Sequence, residues 1–85
     1  MRRRPTWLDW ELVLSLHAEK RMVQRGFTEI DIRSMLMSIS SLRPDVLPGR
    51  WIARASWKRR RWDIVLEPNP GKELLVVVTA FPLKP

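Results

Sequence analysis

The chain reads as a small α+β domain, with two N-terminal helices packed on a three- to four-stranded antiparallel sheet. Three observations predict this. Apolar residues in the first half recur at helical spacing. In the second half the apolar period shifts to two. Short turn signals separate the later segments, so their strands should pair as an antiparallel meander. A chain of 85 residues suits one domain, here taken as 1–85, with 1–5 and 83–85 expected to be loosely held.

The first helix is expected over Trp7 to Gln24. At about 100° per residue, Leu8, Leu12, Leu16 and Val23 fall on one side. Thr6 and Asp9 have the spacing of a capping box, and Gly26 suits a left-handed helix end. Thr28 is the expected N-cap of a second helix whose apolar positions are Ile32, Met35, Leu36 and Ile39. That helix should decay through Ser38 to Ser41 and stop before Pro44.

After a loop from Pro44 to Gly49, the segment Arg50 to Trp57 alternates. Trp51, Ala53, Ala55 and Trp57 share one face, and Arg50, Ile52, Arg54 and Ser56 the other. The small Ala53 and Ala55 suit a face that receives a helix. Lys58 to Arg61 is a basic turn, followed by a strand from Trp62 to Glu67. Pro68 to Lys72 is a strong turn signal. Leu74 to Phe81 is the last strand, with an apolar run suited to a central position.

Charge is the most informative part of the composition. Sixteen Lys and Arg face nine Asp and Glu, a formal net charge of +7. Lysine occurs only at Lys20, Lys58, Lys72 and Lys84, so the excess is mostly arginine. Guanidinium groups match phosphate geometry and stack on bases. The expected partner is therefore a polyanion, RNA first. There is no cysteine, which excludes disulfides and thiolate metal sites and agrees with a reducing, cytoplasmic setting. No run approaches the roughly 18 apolar residues of a membrane span, and Asp9 and Glu11 interrupt any export-signal core after the basic start. No metal-ligand spacing and no Gly-rich phosphate loop is present, so no metal or cofactor is expected.

Two groups of residues could carry chemistry. His17, the only histidine, lies four residues before Arg21 and eight before Arg25. On a helix His17 and Arg21 are neighbours, and an imidazole there could act as a general base. A lone helical histidine among arginines is also a common solvated face. The second group is Arg50, Arg54, Lys58, Arg59, Arg60 and Arg61, interleaved with Trp51, Trp57 and Trp62. Cations alternating with aromatics suit RNA. Trp51 and Trp57 read rather as core, which leaves the arginines at the hairpin tip as the better binding candidates. Thr79, the single polar residue in its strand, is either ordinary β-propensity or a placed donor.

The stretch His17 to Ile32, HAEKRMVQRGFTEIDI, resembles the HAxxRMxxRG pattern of a bacterial domain family of unknown function. The segments Trp62 to Pro68 and Leu75 to Pro82 resemble that family's closing hairpin, so the resemblance spans about residues 14 to 82. The family is similar to the barnase–EndoU–colicin–RelE group of ribonucleases and toxins. The resemblance implies a RelE- or barnase-like fold and metal-independent cleavage of RNA. In that reaction the 2′-hydroxyl attacks the adjacent phosphate and leaves a 2′,3′-cyclic phosphate. It also implies the toxin of a toxin–antitoxin pair, held by an acidic antitoxin or immunity protein. Carried over, His17, Arg21 and Thr79 are the expected catalytic residues, with Arg25 beside them as an RNA contact. His17 would serve as base or acid, and Arg21 with Arg54 or Arg61 would hold the phosphate. The alternatives are a non-catalytic RNA- or DNA-binding module and an interaction protein that docks an acidic partner.

Overall fold

The computed structural model describes residues 4–84. A 3-10 turn at Thr6–Asp9 leads into strand β1 (Glu11–Leu14). Helices α1 (Leu16–Arg25) and α2 (Glu29–Met37) follow, then β2 (Ser41–Pro44), β3 (Trp51–Trp57), β4 (Arg60–Asn69) and β5 (Leu74–Pro82). The strands form one five-stranded sheet in the order β1-β5-β4-β3-β2. The β2–β3, β3–β4 and β4–β5 pairs are antiparallel, while β1 runs parallel to β5.

The α+β class and the two helices match the sequence expectation, but the sheet corrects it twice. It has five strands, not three or four, and it is mixed. Both additions come from segments assigned otherwise: β2 from the decay of the second helix, β1 from the middle of the first. Leu8, Leu12 and Leu16 are spaced by four, which fits a helical stripe and also a period of two. Leu8 and Leu12 are buried, but Leu16 is 79% exposed and Val23 83% exposed. Along β1, Leu12 is buried and Leu14 half-buried, whereas Glu11 and Val13 face out. The buried stripe of α1 is instead Ala18 and Met22. The expected capping box at Thr6 is absent too, since Pro5 holds the cap position of the 3-10 turn and makes no side-chain cap bond.

Ser15 starts α1. Its Oγ accepts from the Ala18 amide (3.0 Å) and donates to the Val78 carbonyl (2.7 Å). That carbonyl is available because the β4–β5 register shifts between Val65 and Leu66, leaving Val78 as the extra residue opposite them. Gly26 ends α1 with φ 72, the left-handed conformation glycine adopts without steric cost. Thr28 and Asp31 form a full capping box on α2.

Both helices cover the same sheet face, α1 over β5 and β1, α2 over β3. Ala18, Met22, Phe27, Ile32, Met35 and Leu36 pack there on Ala53, Ala55, Trp62, Ile64, Leu66, Leu75 and Val77. As expected, Ala53 and Ala55 are fully buried where a helix crosses. Arg33 ties the 3-10 turn to α2, donating to the Leu8 and Trp10 carbonyls, both at 2.6 Å. No helix among the described residues covers the other sheet face. The expectation of loose termini falls partly on residues 1–3 and 85, outside the described residues. Within them, Arg4 donates to the Leu36 carbonyl (2.7 Å) and the Leu83 amide to the Arg61 carbonyl (2.8 Å). No helix among the described residues is long and apolar enough to cross a membrane.

Candidate nucleic-acid interface

Strands β3 and β4 are joined by two residues, Lys58 and Arg59, with φ 50 and 66. A two-residue hairpin loop of type I′ requires positive φ at both positions, and Asn-Gly is its favoured pair. Here two long cationic side chains occupy them. Left-handed backbone costs a non-glycine residue about 1–2 kcal/mol, so the tip carries its charge against a local preference.

Beyond the tip, Arg59, Arg60, Arg61, Leu83 and Lys84 line a concavity of about 510 Å³. Leu83 lies there because its amide bonds the Arg61 carbonyl, which fastens the segment after β5 along the start of β4. Four of the five lining residues are cationic and none is acidic. Their potentials therefore add over one small volume. Lys58 sits beside it, with Nζ 4.6 Å from the centroid of the Trp57 ring.

Further along the hairpin the arginines are spent internally. Arg50 pairs with Glu67 (Nε–Oε1, 2.9 Å). Arg54 donates from Nε and Nη2 to Asp63 at 3.0 and 3.3 Å, and Arg43 donates to the same carboxylate at 3.1 Å. Asp63 is only 4% exposed. Burial alone would raise its carboxyl pKa, but the bonds from Arg54 and Arg43 outweigh it and hold the group below its ordinary value. The same bond and the Asp63 charge raise Arg54. Of the expected RNA contacts, Arg59, Arg60 and Arg61 thus share the concavity and Lys58 adjoins it, whereas Arg50 and Arg54 neutralise carboxylates.

The expected catalytic residues separate. His17 and Arg21 are exposed on α1, whose Ala18 and Met22 point to the sheet. Thr79 is the register partner of Val65, and Ile64 and Leu66 on either side of Val65 face the helices. The Thr79 side chain therefore lies on the sheet face away from α1, and the sheet stands between it and His17. Arg25 is the link between α1 and the hairpin, its guanidinium carbon 5.8 Å from the Trp62 ring centroid. Arg25 Nε and Trp62 Nε1 are both buried there with no acceptor among the described residues. Phe27, Trp57 and Trp62 complete that corner, with centroid separations of 5.1 to 5.9 Å and tilted or edge-on rings.

Sequence reasoning missed Lys84 and Arg43. Neither carries a local signal: Lys84 reaches the concavity through the Trp62–Pro82 register, and Arg43 reaches Asp63 only because β2 pairs with β3. Among the described residues no group of three His, Cys, Asp or Glu is placed to hold a metal ion. No family model, curated protein or solved structure matches the chain, so a functional reading stands on these residues alone.

Proposed function

We propose that the domain binds RNA through the tip of the β3–β4 hairpin and the adjoining concavity. The observation that carries this is a cluster of four cationic side chains, Arg59, Arg60, Arg61 and Lys84, with no carboxylate in the lining. Folded domains normally intersperse such charge, as this one does at Asp63 and Glu67. With no carboxylate among the described residues paired to it, it suits a phosphate backbone, whose bound counterions are released on contact.

Retention of a labelled RNA at rising salt tests the reading. Affinity should fall linearly on a log–log scale, with a slope near 0.7 per phosphate contact for single strands. Arg59→Ala with Arg60→Ala should flatten that slope. RNA binding that both substitutions leave intact would overturn the assignment. Binding only to an acidic protein would favour the docking alternative.

A metal-independent ribonuclease of RelE- or barnase-like fold is the second reading, and the contact of Arg25 with Trp62 favours it. It ties the helix that bears His17 and Arg21 to the basic hairpin. His17 lies eight residues before Arg25, about 12 Å back along the helix at 1.5 Å per residue. A scissile phosphate would have to span from the hairpin to that point, with Thr79 taking no part because it faces away. Incubation with mixed RNA in EDTA is the test. Cleavage by the parent that His17→Ala and Arg21→Ala both lose supports it, and cleavage that both retain removes His17 and Arg21 from the mechanism. A toxin would in addition arrest the growth of a bacterial host unless an acidic partner is supplied.

A further inference from the structure

We infer that the hairpin takes an unpaired nucleotide, whose base stacks on the indole of Trp57 while Arg60 holds the adjoining phosphate; this rests on the RNA reading and specifies single strands as its substrate class. Trp57 is half-buried at the end of β3, next to the turn. Phe27 (5.2 Å, 55°) and Trp62 (5.9 Å, 77°) meet it obliquely, which fixes the ring without stacking on it. The Lys58 ammonium lies over the ring, 4.6 Å from the centroid.

A cation over a half-buried indole at the surface is a weak contact compared with a base stacked on it. Lys58 is exposed and sits in the turn itself, so its side chain can leave the ring for a phosphate when a base arrives. Arg60 is the cross-strand partner of Trp57 and projects on the same side. An aromatic platform, a displaceable cation and a flanking guanidinium thus follow one another across the turn, in the order a base and its phosphates would need. A duplex cannot use this platform, because its bases are already stacked.

The test compares two single-stranded oligonucleotides of equal length and charge, one carrying uracil bases and one abasic at every position, with the parent protein at fixed salt. The base-bearing strand should bind about tenfold more tightly, the effect of one stacked base, and a duplex of the same length should gain nothing over the abasic strand. Trp57→Leu should bring the two strands to equal affinity, whereas Trp57→Phe should keep part of the preference. Equal binding of both strands by the parent overturns the stacking inference and leaves the RNA reading standing, a result that needs no variant to fold. If neither strand binds, the RNA reading itself has failed, and the inference with it.

Discussion

Replacing Lys58 by Asn and Arg59 by Gly should strengthen the fold and weaken its hold on RNA. The backbone at these positions has φ 50 and 66. A left-handed residue other than glycine costs about 1–2 kcal/mol, with asparagine tolerating it better. Against that gain stand the lost contact of Lys58 with Trp57, about 0.5–1 kcal/mol at an exposed site, and the greater freedom of an added glycine when unfolded. A net stabilisation of about 1 kcal/mol remains, which for a domain of this size raises the melting temperature by about 4–8 °C. Thermal unfolding followed by circular dichroism measures the first effect. Salt-dependent RNA retention measures the second, where the loss of two cations should reduce the single-strand slope by up to about 1.4. A melting temperature that falls would mean that the turn is not strained as argued. A slope that does not change would mean that the tip does not touch phosphate.

Three further outcomes are expected. Asp63→Asn leaves Arg43 and Arg54 without their anion; both are partly exposed and screened by water, so the cost in urea unfolding should be about 1–2 kcal/mol, mostly the weakened hydrogen bonds at the buried position. Since the folded-state pKa of Asp63 is lowered, its contribution is present above the unfolded value near 3.9 and is lost as pH falls through the folded value. The gap between parent and variant should therefore close below about pH 4. Ser15→Ala removes the N-cap of α1 together with its bond to the β-bulge and should cost about 1 kcal/mol, read from the same unfolding curves. Arg33→Met frees the Leu8 and Trp10 carbonyls, and amide exchange along β1 should accelerate at least tenfold while that of β4 is unchanged.

The elements legible in the sequence were those with a complete local signal. Thr28 and Asp31 specify the start of α2 by a hydrogen-bonding geometry that needs nothing from elsewhere. Trp51 to Trp57 alternate over enough residues to fix both the strand and its helix-facing side. β1 and β2 are four residues each, too short to show a period, and each is a strand only because a distant partner supplies its hydrogen bonds. The spacing of Leu12 from Leu8 and Leu16 fits a helix as well as a strand, and it masks Ser15, the cap that divides strand from helix. At the candidate site, Lys58 to Arg61 were visible as a charge run. The division of the remaining arginines was not, because it depends on which carboxylates the register brings opposite: Asp63 faces Arg54, and Glu67 lies within reach of Arg50.

The parallel joining of β1 to β5 also has a consequence for synthesis. Glu11 to Leu14 align with Leu74 to Val77, so Leu14, half-buried against the core, waits for a partner that the ribosome adds more than sixty codons later. Until that segment clears the exit tunnel, the bulge carbonyl of Val78 that anchors Ser15 does not exist either. The nascent chain therefore emerges with its first strand unsheltered, and cooperative folding begins only once β5 has left the tunnel. A domain wired in this way holds its basic hairpin in working shape only after translation of the stretch through β5 is finished.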